Sequence, residues 1–142
     1  MRIAYPAFIK KAADDFLVYI PDFDGMTQGE SFADAIDMAR DYIGLACLDY
    51  EDQGKSFPDM SDAQEAEDIA RNRADDETIK FSDGQLTYVD LDYTRYRAKV
   101  RNQSVKKNCT LPLWLCEEAE EKGINFSRVL QEALEEKISA VH

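Results

Sequence analysis

Strict alternation opens the chain. Ile3, Tyr5, Ala7 and Ile9 occupy every second position of residues 2–11, the period of a strand whose faces meet different surroundings. Asp14-Asp15 predicts a turn, and Phe16-Leu-Val-Tyr-Ile20, rich in β-formers and stopped by Pro21, predicts a second strand able to pair with the first as a hairpin. Asp22-Phe-Asp-Gly25 reads as another turn and Met26-Thr-Gln-Gly29 as a short third strand. The period then lengthens. Phe32, Ala35, Ile36, Ala39, Ile43, Ala46, Cys47 and Tyr50 hold one face for about five turns, so residues 32–52 predict the longest helix, packed on the sheet. Ser31 is its expected N-cap, Asp34 and Asp37 suit its positive end, and Gln53-Gly54 closes it.

Residues 55–80 show no comparable period. From Asp59 to Glu77 there are eight acids and two arginines. The expectation is a weak helix around 62–71 within a mostly mobile loop. Asp83-Gly84 is a turn signal, and Leu86-Thr-Tyr-Val-Asp-Leu91 alternates as a strand returning to the sheet. Residues 93–104, ending in Asn-Gln-Ser, are expected to link two domains.

The tail follows a different plan. Val105, Cys109 and Leu111 point one way and Lys106, Asn108 and Thr110 the other. Pro112 suits a first helical turn, Leu115 and Ala119 form an inner stripe, and Gly123 stops that helix. Asn125 is expected to cap a second helix with the stripe Phe126, Leu130, Ala133, Leu134 and Ile138. The short strand has nothing to pair with in its own segment, and an unpaired edge is costly. The economical partner is the same strand of a second copy, and such a two-stranded ribbon fits the DNA major groove.

Lys106, Asn108 and Thr110 would then share one ribbon face, with chemistry suited to guanine, adenine and the thymine methyl. The plainer reading of these three is the solvated face of an edge strand. Ser127, among the free N–H groups of the second tail helix, could hold a phosphate; its plainer role is an ordinary first-turn residue. Asp22 and Asp24 resemble a carboxylate pair for metal or acid–base chemistry, although Pro21 and Gly25 beside them favour a purely turn-forming role. Trp114 is either a binding anchor or part of the packing beside the tail helices.

Charge sharpens this division. With 17 Lys+Arg against 29 Asp+Glu the net charge is −12, which argues against a generic polyanion binder. Residues 1–104 carry a net −10 and residues 105–142 a net −2. Between Tyr93 and Lys107, however, lie six basic residues and no acid, a local patch of the kind that drives DNA affinity. The acidic front suits a basic protein partner. The three cysteines (Cys47, Cys109, Cys116) show no CxxC spacing, and the only histidine is His142, so neither a disulfide framework nor a zinc site is expected. Nothing resembles a membrane span or signal core, and a cytoplasmic protein with no cofactor and no metal is expected.

Two stretches carry a family resemblance. At the front they are Phe16-Leu-Val-Tyr-Ile-Pro-Asp-Phe-Asp-Gly25, Thr27-Gln-Gly-Glu-Ser-Phe-Ala-Asp-Ala-Ile36 and Ala39-Arg40. At the back they are Ser104-Val-Lys-Lys, Leu111-Pro-Leu-Trp-Leu115 and Gly123-Ile-Asn-Phe-Ser-Arg-Val-Leu-Gln-Glu-Ala-Leu134. Together they resemble the HicB antitoxin family, in the branch whose tail is a ribbon-helix-helix; the long acidic stretch 59–77 departs from that family's shorter connectors. The resemblance implies an α+β chain. Residues 1–92 would form a partial RNase H-like domain that covers a small HicA-type mRNA-cleaving ribonuclease toxin without catalysing anything itself. Residues 93–104 would be a basic linker. Residues 105–142 would be a ribbon-helix-helix that forms a homodimer, open to higher assembly, and represses its own operon. Lys106, Asn108, Thr110, Asn125 and Ser127 would contact operator DNA, and Asp22 and Asp24 would lie near the toxin by position. An active RNase H needs acids on its strands to hold metal ions, whereas the first strand offers Ile3, Tyr5, Ala7 and Ile9. The alternative is a ligand-sensing ribbon-helix-helix repressor whose front binds a metabolite.

Overall fold

The computed structural model describes residues 1–101 and 104–141, and the chain divides into two units, Met1–Gln103 and Ser104–His142. Among the described residues there are one four-stranded sheet and five α-helices, an α+β architecture.

In the first unit the strands are β1 (Arg2–Ala12), β2 (Asp15–Ile20), β3 (Gly25–Gly29) and β4 (Gln85–Asp92), in the order β3-β2-β1-β4. Every neighbouring pair is antiparallel, with Phe8 opposite Tyr19 on one side and opposite Leu86 on the other. The turn between β1 and β2 is Ala13-Asp14, one residue earlier than expected, because Asp15 already pairs with Ala12. Ala13 takes a left-handed φ of 54°.

Alternation along the strands sends two sets of side chains to opposite faces. Tyr5, Ala7, Ile9, Val18, Ile20, Val89 and Leu91 meet helix α1 (Phe32–Asp52), which presents Ala35, Ala39, Ile43 and Cys47. The expected cap is present, with Ser31 Oγ accepting the Asp34 N–H at 3.0 Å.

The opposite face is covered as well. Helix α2 (Ala63–Arg73) lays Ala66 and Ala70, with Ala74 beyond its end, over Phe8, Tyr19 and Phe81. The weak helix expected around 62–71 is present as three turns opened by a full capping box: Asp62 Oδ1 accepts the Glu65 N–H at 2.9 Å, and Glu65 returns a bond to the Asp62 N–H. Small alanines let this helix lie close to the sheet.

The expected basic linker is also corrected. Residues Tyr93–Val100 form helix α3, packed on α1. Tyr93 is buried and its hydroxyl donates to the Glu51 carboxylate, while the Tyr96 hydroxyl donates to Asp41 Oδ1 at 2.8 Å. The Tyr96 ring closes over Gly44, where a Cβ would stand 2.4 Å from it. Asn102 and Gln103 of the expected linker lie outside the described residues.

In the second unit, residues 104–112 carry neither helix nor strand, and α4 (Leu113–Glu121) and α5 (Phe126–Val141) follow. Pro112 is the N-cap of α4 and so stands one place before its first turn. Gly123 ends the helix with φ 67°, and the Ile124 N–H donates to the Ala119 carbonyl at 3.0 Å. The Asn125 side-chain oxygen accepts the Arg128 N–H at 3.1 Å, the expected cap of α5. Among the described residues, the strand expected over 105–111 is not formed.

Candidate functional site

The second unit has no interior of its own. From Ser104 to Ala140 no residue is buried; only Cys116 and Ala119 are even half-buried. Along α5 the side chains of Phe126, Leu130, Leu134 and Ile138, spaced at i, i+4, remain between 39% and 53% exposed. On α4, Trp114 is 63% exposed, so the packed alternative read for it is not realised within the single chain. Below about 40 residues, a segment with no core needs outside support to fold. A continuous exposed apolar stripe of this kind marks an interaction surface.

Lys106, Asn108 and Thr110 lie exposed at alternate positions of the segment before α4, and the intervening Cys109 is exposed too. Cys109 therefore does not pack beneath a ribbon in the single chain. Ser127 stands exposed in the first turn of α5, and the Asn125 oxygen is taken by the cap just described. The five candidate DNA contacts thus fall in two places along the second unit, three in the segment before α4 and two at the entry to α5.

The two front acids do structural work that their spacing did not reveal. Asp22 Oδ2 accepts the Ser61 N–H at 3.1 Å, and its other oxygen accepts the Ser61 hydroxyl, which ties the start of the α2 segment to the turn after β2. Asp24, at a left-handed φ of 46°, accepts the Tyr19 hydroxyl at 2.6 Å. Burial and that hydrogen bond push the Tyr19 phenol well above its usual range. Among the described residues no group of three or more His, Cys, Asp or Glu is arranged to hold a metal ion. Burial pushes the Cys47 thiol up to about 11, the behaviour of a core residue rather than a nucleophile.

Sequence reading missed an ionic seam along α3. Arg97 Nη1 meets Glu51 Oε1 at 2.8 Å, and Arg101 Nη2 meets Asp52 Oδ1 at 2.6 Å. Burial and the bond to Glu51 raise Tyr93 to about 12. The four-residue steps Tyr93, Arg97 and Arg101 were the available signal of a helix with one face turned to acids. A groove of about 610 Å³ beside this seam, lined by Phe57, Tyr93, Arg97 and Lys55 among others, lies open to solvent. No helix among the described residues is long and apolar enough to cross a membrane.

No family profile matches the chain, and no curated protein does either. Solved structures do. A chain of a toxin–antitoxin complex from Streptococcus pneumoniae is 25% identical with a TM-score of 0.58, over 96% of this chain and 99% of that one. The antitoxin HicB of Burkholderia pseudomallei is 18% identical with a TM-score of 0.48, over 97% and 98%. The antitoxin HicB3 is 28% identical with a TM-score of 0.47, over 96% and 98%. Along nearly its full length, this chain is similar in fold to a chain of a toxin–antitoxin complex.

Proposed function

We propose that the chain is an antitoxin of two parts: the first unit binds and neutralises a HicA-type ribonuclease, and the second dimerises and represses the operon that encodes the pair. The observation that carries this reading is the second unit without a core. Its apolar stripe runs down one helix, and a polar, extended segment with Lys106, Asn108 and Thr110 precedes it. A second copy supplies what both lack. Residues 105–111 of two chains pair as a ribbon, and the α5 stripes meet beneath it as a ribbon-helix-helix.

The similarity over 96% of the chain to a protein of a toxin–antitoxin complex supports the neutralising half. The partial RNase H-like reading of the first unit rests on its sheet and long helix, and it is a non-catalytic one. Where a metal-dependent nuclease carries acids, β1 turns Tyr5, Ala7 and Ile9 into the α1 core. The net −10 of residues 1–104 speeds encounter with a basic toxin, and apolar contacts hold the complex.

Two measurements test the halves separately. Adding the purified chain to a HicA-type ribonuclease from the same genome should abolish RNA cleavage; continued cleavage with antitoxin in excess overturns the first half. On operator DNA, Asn108→Ala should relax base preference, whereas Lys106→Ala should weaken all sequences alike and reduce salt sensitivity. Operator binding unchanged in both variants removes that face from consideration.

A further inference from the structure

Helix α3 sorts its cations. Of the basic residues it and its cap carry, Arg97 and Arg101 turn towards α1 and are neutralised by Glu51 and Asp52. Arg95 and Lys99, also four residues apart, lie exposed on the other side, and neither forms an ion pair among the described residues. Residues 1–104 hold 22 acids against 12 bases, and Arg2, Arg40 and Arg71 also find a carboxylate partner. Lys10, Lys11, Lys55, Arg73 and Lys80 form no ion pair among the described residues, and of the unpaired cations of this unit Arg95 and Lys99 stand nearest the second unit along the chain. Two neighbouring cations left open to solvent on one helix face therefore form a local positive site on an acidic body, and such a site attracts an anion rather than a basic protein.

Chain length limits what that anion can be. Lys106 lies seven positions after Lys99. Fully extended they span at most about 25 Å, less than one turn of duplex at about 34 Å. Whatever the arrangement of the two units, the α3 cations stay within one helical turn of the segment proposed to enter the groove. Resting on the DNA reading of the tail, we propose that Arg95 and Lys99 bind backbone phosphates flanking the operator, a clamp on the first unit that adds affinity but no base preference.

The test uses the full chain and a duplex from upstream of its own gene, extended by about one helical turn on each side. Affinity is measured by fluorescence anisotropy across a potassium chloride series. In a dimer, Arg95→Ala with Lys99→Ala removes four cations and should flatten the slope of log K against log salt by about 3 to 4. Dimerisation and the preference for operator over scrambled sequence should be unchanged, and Arg95→Lys should keep the wild-type slope. Lys11→Ala with Lys55→Ala removes the same charge elsewhere and should leave the slope as it was. A wild-type slope in the α3 double variant, or an equal loss in the control, overturns the clamp while leaving the groove-reading tail intact. If the wild-type chain binds no DNA at all, the clamp and the repressor reading fall together.

Discussion

Truncating one residue of the α5 stripe tests the coreless second unit most directly. Full burial of a leucine is worth about 1.5–3 kcal/mol, and Leu134 still has 53% of its surface in water in the single chain. Covering the remainder on association therefore contributes about 1 kcal/mol per chain, and truncation to alanine adds the cost of a partly filled space. Leu134→Ala should weaken the dimer by about 2–4 kcal/mol, roughly 30- to 1000-fold in Kd. Sedimentation equilibrium of the full chain reads this directly. Met38→Ala, which trims a 39%-exposed apolar side chain of α1 instead, should leave Kd unaltered. A wild-type chain that stays monomeric into the tens of micromolar, or a Leu134→Ala chain that associates like wild type, would refute the reasoning.

Two further outcomes follow from the first unit. Gly44→Ala should cost about 1–3 kcal/mol in thermal or denaturant unfolding and expose α3 to proteolysis, because its new methyl would meet the Tyr96 ring at 2.4 Å. Acid should loosen α2 at both ends. The Asp62 carboxyl is held below the usual carboxylate range by the Glu65 N–H; at Asp75, burial opposes ionisation, but hydrogen bonds from Ser82 outweigh it and lower the pKa. Groups depressed in this way stabilise the fold fully above their unfolded values near 4, and the contribution is lost as pH falls through the folded values. Melting temperature should fall as pH drops below about 4, and Asp75→Asn should remove part of that dependence; an identical acid limb in the variant would count against this assignment.

How legible each element was depended on the contrast its residues offered. In α1 large apolar side chains alternate with charged ones at a helical period, and in β1 Ile3, Tyr5, Ala7 and Ile9 stand at every second position, although Pro6 and Phe8 between them are buried on the other face. The buried positions of α2 are Ala66 and Ala70, whose short side chains mark a face only weakly, so a weak helix was legible around 62–71 but its packing on the sheet was not. In α3 the helical signal was carried by Tyr93, Arg97 and Arg101, and reading the arginines as a free basic patch hid their pairing with α1. Asp22 and Asp24 looked like a chemical pair because they are close in sequence, yet their partners, Ser61 and Tyr19, are set by the tertiary structure. The tail was legible as two helices, whereas the strand expected before them is not formed in the single chain among the described residues.

The cover that α2 provides has a consequence for recognition. α1 covers one side of the sheet, while the alanine-lined α2 covers the other around Phe8 and Tyr19 and leaves Met26 of β3 and Tyr88 of β4 exposed. On the proposed reading, a toxin approaching this unit without dislodging a helix meets outer helix surfaces, the connecting turns, and the outermost strands β3 and β4, each flanked on one side only. Variants that discriminate toxin binding should accordingly be sought along those margins and not among the side chains beneath α2.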